Sequence, residues 1–158
     1  MIFVGIDPGQ SGAIAILRAY MSMDLIVYDM PLVKIKKIVD ANKLARMIMI
    51  KPSNYLTAII EDVHAMPGQG VSSMFNFGRN LGVVEGVLGT LDVKTIYTKP
   101  SVWKTVMGLS RDKNLSREMA MEKFPRYKNL FSRKKDDGRA EAALLALFGA
   151  KHFNTSAN

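Results

Sequence analysis

Residues 1–17, MIFVGIDPGQSGAIAIL, decide how this chain folds. An apolar run over residues 1–6 meets an acid, turns on Asp7-Pro8-Gly9-Gln10-Ser11-Gly12 and resumes as a second apolar run over 13–17. A third run follows at 25–28, so the pattern predicts three consecutive strands joined by hairpins. Residues 40–50 then show helical spacing of Ala41, Leu44, Ala45 and Ile48, with Pro52 marking the end, as a crossover helix would. Residues 57–63 read as a fourth strand, 72–91 as a long helix and 93–97 as a fifth strand. Beyond Pro100 only helices are predicted, over 102–106, 116–124 and 137–151. Strands alternating with helices after an initial meander give an α/β fold, a five-stranded mixed sheet flanked by helices. Length allows one well-buried core, so residues 1–153 are expected to form a single domain and 154–158 a loose polar tail. The Gly-rich loop 66–73 and the basic stretch 126–135 are the expected mobile segments.

Charge is unevenly spread. The chain of 158 residues carries +8, and residues 99–139 hold twelve of its 22 basic and five of its 14 acidic side chains, or +7 of that total. The other residues, ten basic and nine acidic, add only +1, which assigns the basic face to one segment. A localised positive field suits a polyanion, whose counterions are released on binding. The absence of cysteine excludes disulfides and cysteine-zinc sites. Two histidines, His64 and His152, form no histidine-metal motif. The first residues lack a secretory pattern, and the most apolar run, 81–91, carries Glu85, with Asp92 directly after it. The expectation is a soluble, cytoplasmic protein without a membrane partner.

Three acidic stations stand where strands end or a helix begins: Asp7, then Glu61, then Asp136, Asp137 and Glu141. Converging carboxylates repel one another unless a hard divalent cation holds them, and two magnesium ions about 4 Å apart are the usual machinery for in-line attack on a phosphodiester. Each station also has a plainer reading. Asp7 in Asp-Pro-Gly is an ordinary turn acceptor, though Gly5 and Gly12 leave room around it for a phosphate or another backbone. Glu61 follows a buried run and needs a partner, which an interior arginine would also supply. Asp62 faces the opposite side of the strand and is held in reserve. Asp137 and Glu141 lie within about 40° on one helical face, whereas Asp136 is about 140° away from Glu141. Either aspartate also suits an N-cap.

The 72–91 helix places Gly78, Gly82 and Gly86 four apart, with Gly89 besides. Each internal glycine costs about 1 kcal/mol relative to alanine, so the stripe implies close packing. Its partner is either the sheet or a second copy meeting it across Phe77, Gly78, Leu81, Gly82, Val84 and Leu88 in a homodimer. His64, Met66, Phe75 and Phe77 flank the Gly-rich loop, where an apolar side chain suits wedging between bases.

With these residues in place the chain resembles the RuvC family of Holliday junction resolvases, members of the RNase H-like nuclease superfamily, and most of all its small phage-type members. The match runs in order through GIDPG, IIEDV, SSMFNFGRNLGVVEG, KPSVWKTVMG, DK and DDGRAEAALLA. It implies a homodimeric endonuclease that nicks four-way and other branched DNA. Asp7, Glu61, Asp137 and Glu141 would hold two magnesium ions (manganese being the other option), with Asp136 as an alternative ligand. Lys104 and Lys113 match family lysines at the DNA and the scissile phosphate. Arg79, Arg111, Arg133, Lys134, Lys135, His64 and Phe75 are the further expected DNA contacts. Two positions depart from the family pattern. Gly138 stands three before Glu141 where an acid is usual, and His64 replaces the usual wedge phenylalanine. A flap or fork nuclease on the same fold and a non-catalytic junction binder are the near rivals. An actin-like sugar kinase shares the opening GIDPGQSG, but no later Gly-rich nucleotide motif appears, and no nucleotide cofactor is expected.

Overall fold

The computed structural model describes residues 1–19, 23–49, 52–64, 68–110 and 112–153. Strands β1 (Ile2–Asp7), β2 (Ala13–Ala19) and β3 (Met23–Asp29) form an antiparallel meander, and β6 (Leu56–Glu61) and β7 (Lys94–Thr98) extend it in parallel. The sheet order is β3-β2-β1-β6-β7, the expected five-stranded mixed sheet. A separate hairpin, β4 (Leu32–Val33) and β5 (Ile38–Val39), was not legible beforehand, because two-residue strands around a lysine-rich tip carry no periodic signal. Two of the helices lie on one face of the sheet, α1 (Ala41–Ile48) and α2 (Val71–Thr90). The other face carries α3 (Pro100–Val106), α4 (Lys113–Lys123) and α5 (Asp137–His152).

Strand parity assigns the two cores. Ile2, Val4, Ile6, Ala58 and Ile60 pack with Leu44, Ile48, Val84 and Leu88 under α1 and α2. Phe3 and Ile59, at the alternate positions, pack with Trp103, Phe124, Phe131 and the whole apolar length of α5. Every residue from Gly138 to Gly149 except Arg139 is buried, since α5 lies directly over β1 and β2. Gly5 makes this possible. A Cβ there would overlap the Ala142 carbonyl oxygen and come within 2.5 Å of the Ala146 nitrogen. The room that Gly5 leaves is thus taken by the backbone of α5, and that of Gly12 by the carbonyl of Asp7.

Local signals explain the helix boundaries. Asp40 caps α1 by accepting from the Lys43 nitrogen at 3.0 Å, and Asp112 caps α4 through the Asn114 nitrogen at 2.8 Å. Pro100 opens α3. The basic stretch expected to be mobile is instead pinned in two 3₁₀ turns, Pro125–Leu130 and Lys134–Asp136. Phe131 between them is fully buried, and the Tyr127 hydroxyl accepts from the Leu25 nitrogen and donates to Asp24. Part of the 66–73 loop and the 154–158 tail lie outside the described residues. Among those described, no helix is long and apolar enough to cross a membrane.

Candidate active site

Ile6 pairs with Ile60 across the parallel β1 and β6, so the next residues, Asp7 and Glu61, end neighbouring strands about 5 Å apart. Both share the parity of Phe3 and Ile59 and therefore belong to the α5 face, as Glu141 does. Asp7 is half-buried, and its Oδ1 accepts from the Gly9 nitrogen at 3.3 Å, so the turn reading holds alongside any other role. Glu61 Oε1 accepts from the Trp103 indole at 2.9 Å, and Glu141 Oε1 accepts from Lys104 Nζ at 2.7 Å. The lysine ammonium also lies 5.3 Å from the centre of the Trp103 ring. Two adjacent residues of α3 thus join carboxylates from β6 and α5.

Trp103 is the residue that sequence reasoning missed. Its signal was present: a lone tryptophan beside Lys104, fully buried here, whose indole N–H needs an acceptor. In the structure it fixes the rotamer of Glu61.

Asp137 is half-buried in the first turn of α5, one helical turn before Glu141. Gly138 explains the departure from the family pattern. A Cβ there would come within 2.5 Å of the Ser11 carbonyl oxygen and 3.2 Å of Asp7 Oδ2. No acid fits at 138, because α5 approaches the β1–β2 turn too closely.

Asp136 does not join this set. It is 1 % exposed and bound by Arg133, whose Nη2 lies 2.8 Å from Oδ1 and whose backbone nitrogen lies 2.9 Å from Oδ2. Nor does it cap α5 through its side chain. Burial alone would raise its pKa, but the hydrogen bonds and charge of Arg133 outweigh that and hold it below the ordinary carboxylate range. Arg139 binds Asp29 beside it, and these hydrogen bonds likewise lower the Asp29 pKa. Gln10, Ser11, Lys135 and both ion pairs line a polar cleft of about 380 Å³. Because the folded-state pKa of Asp136 is depressed, its contribution to stability is present above the unfolded value near 4 and is lost as pH falls through the folded value. Asp136→Asn should therefore lower the melting temperature at pH 7 by on the order of 3–5 °C. The gap from wild type should close below pH 4, as thermal melts across pH 2–7 would read; an equal gap at every pH would contradict it.

The remaining expected contacts are scattered. Phe75 is 68 % exposed near the start of α2, Arg79 is exposed on the same helix, and His64 is exposed with Nε2 3.5 Å from Asp62. Arg133 is engaged with Asp136, whereas Lys134 and Lys135 are exposed. Arg111, Met66 and the side chain of Lys113 lie outside the described residues. Of the expected dimer residues, Val84 and Leu88 are buried in this chain's own core, because they lie on the face of α2 that meets α1 and the sheet. Leu81 packs partly against the same core. Gly78, Gly82, Gly86 and Gly89 lie on another side of α2, and a Cβ at any of them would meet nothing within 4 Å. The stripe therefore does not pack on the sheet.

In donor chemistry Asp7, Glu61 and Glu141 fit a hard divalent cation, and a cationic group, the Lys104 ammonium, already stands against Glu141. Among the described residues no three acids, histidines or cysteines are drawn together closely enough to hold a metal as they stand.

No family model matches this chain, and no curated protein does. Solved structures do. The chain is similar to T. thermophilus RuvC in complex with Holliday junction substrate, at TM-score 0.64 and 14% identity over 96% of each chain. It is also similar to the Thermus thermophilus RuvC structure, at TM-score 0.58 and 13% identity with the same coverage. Identity this low speaks for backbone architecture alone: the five-stranded mixed sheet and its flanking helices match the RuvC-like, RNase H-like fold of these structures.

Proposed function

We propose that this chain is a metal-dependent endonuclease that resolves four-way DNA junctions by paired, symmetric nicks, acting as a homodimer inside the cell. One observation carries the reading: Asp7, Glu61 and Glu141, from β1, β6 and α5, share one face at one end of a sheet whose fold is also that of a RuvC bound to a Holliday junction. Asp7, Glu61 and Glu141 would hold magnesium or manganese, with Asp137 as the further ligand. A divalent cation bound there supplies Lewis acidity at the phosphate.

The chain's own residues do the rest. Trp103 holds Glu61 in one orientation, so that ligand is set before substrate arrives. Lys104 neutralises Glu141 in the free protein and offers its ammonium to a phosphate oxygen when DNA enters. Lys113 and Arg111 add two further positive charges to the same basic segment, and Arg79, Lys134, Lys135 and Arg133 hold the arms. Phe75 serves as the base wedge in place of the phenylalanine that His64 replaces. The open glycine face of α2, including Gly78 and Gly82 beside Phe77, meets a second copy. Two active sites then act on strands related by the two-fold axis.

The test is a synthetic junction with each strand labelled in turn, incubated with magnesium or with EDTA. Paired nicks in opposing strands near the crossover, leaving 5′-phosphates and lost in EDTA, are expected. Cuts that are unpaired and equally frequent on flaps and forks would replace the resolvase by a general branch nuclease. Binding without any cleavage in either metal would remove the catalytic reading.

A further inference from the structure

The positive surface is not confined to residues 99–139. Residues 34–46 carry Lys34, Lys36, Lys37, Lys43 and Arg46 against a single acid, Asp40, and they sit on the sheet face opposite α5. Lys34, Lys36 and Lys37 form the tip of the β4–β5 hairpin together with Ile35, which is 94 % exposed. None of the three lysines has an ion-pair partner among the described residues.

The tip is held in place rather than loose. Asn80 of α2, itself fully buried, accepts from the Val39 nitrogen at 3.0 Å. The Asp40 nitrogen donates to the Pro31 carbonyl at 2.8 Å, and the Lys37 nitrogen closes the turn on the Val33 carbonyl at 2.8 Å. Lys37 adopts φ 49°, a left-handed conformation that favours glycine or asparagine. The turn therefore keeps a charge at a position where a smaller residue would fit more easily.

From these observations we infer that the β4–β5 hairpin is a second nucleic-acid contact, gripping the phosphates of a duplex arm away from the cut. The inference rests on the nuclease reading above. Reach supports it. Asp7, Ala13 and Asp29 are in register across three strands, so Asp29 lies about 10 Å from Asp7. The five residues on to Lys34 add at most about 18 Å. The tip thus lies within one duplex turn of about 34 Å from the carboxylates. Three ammonium groups on a fixed tip suit a polyanion, while a single exposed isoleucine buries too little to hold a lipid surface.

The experiment titrates a four-way junction, and separately anionic lipid vesicles, with the full chain and with Lys34→Gln/Lys36→Gln/Lys37→Gln across a salt series, alongside a nicking assay. The triple variant should melt as wild type does, bind about ten-fold more weakly at low salt and show a log–log salt slope shallower by about 2–3. Lys34→Arg/Lys36→Arg/Lys37→Arg should restore both. A triple variant whose slope and affinity equal those of a wild type that binds and nicks would overturn the hairpin contact and leave the nuclease reading standing. Unchanged junction binding with lost binding to anionic vesicles would overturn it in favour of a membrane surface. If the wild type neither binds nor nicks junctions, both readings fall.

Discussion

Asp7→Asn should reduce nicking of a four-way junction by about 10³-fold while leaving junction binding and melting temperature close to wild type. The amide keeps the shape of the carboxylate and an oxygen that can still accept from Gly9, so the turn after β1 survives. What it loses is the negative charge beside Glu61 at the end of the parallel strands, and with it the means of holding a divalent cation. Electrophoretic binding and single-turnover cleavage on the same substrate separate the two effects. A variant that nicks at more than about a tenth of the wild-type rate would mean that Asp7 is a turn residue and nothing else.

Gly5→Ala should cost at least about 3 kcal/mol, lowering the melting temperature by roughly 10 °C, because the added methyl overlaps the backbone of α5 rather than a side chain that can swing away. Gly89→Ala is the control for this chain's own packing, read at a protein concentration low enough to keep the chain monomeric, because Gly89 shares the glycine face proposed to meet a second copy. Its Cβ meets nothing within 4 Å, and replacing a helical glycine should be neutral or stabilise by up to about 1 kcal/mol. Chemical denaturation of the two variants side by side would show opposite signs. Equal, small changes would mean that the backbone of α5 can move away from β1 at little cost.

Gly5 also shows why parts of the site were hidden. Asp7 and Glu61 were legible because each follows an apolar run at a strand end, and strand parity is a local property. Glu141 was legible from sharing one helical face with Asp137 in the first turns of a helix. Trp103 was not, because its bond to Glu61 joins residues 42 apart in the chain. The same holds for the pairing of Lys104 with Glu141, 37 apart, and of Asn80 with Val39, 41 apart. The departure at Gly138 read as a missing ligand until the contact with Ser11 and Asp7 gave it a steric cause. Val84 and Leu88 were read as dimer contacts only if the stripe met a second copy, and they lie in this chain's own core, because apolar and glycine positions together surround α2 and no single stripe marks the core face.

By itself the sequence determined the order of the five sheet strands and the helices between and after them, the mixed sheet and the strand ends that carry Asp7 and Glu61, since hydrophobic period and turn residues act over a few positions. Only the tertiary structure decided which carboxylates share a face and which side chains hold Glu61 and Glu141. It also drew Asp136 away to Arg133 and turned the glycine face of α2 outward. Those outcomes depend on how closely α5 and α3 settle on the sheet, and that closeness is set by contacts between residues far apart in the chain.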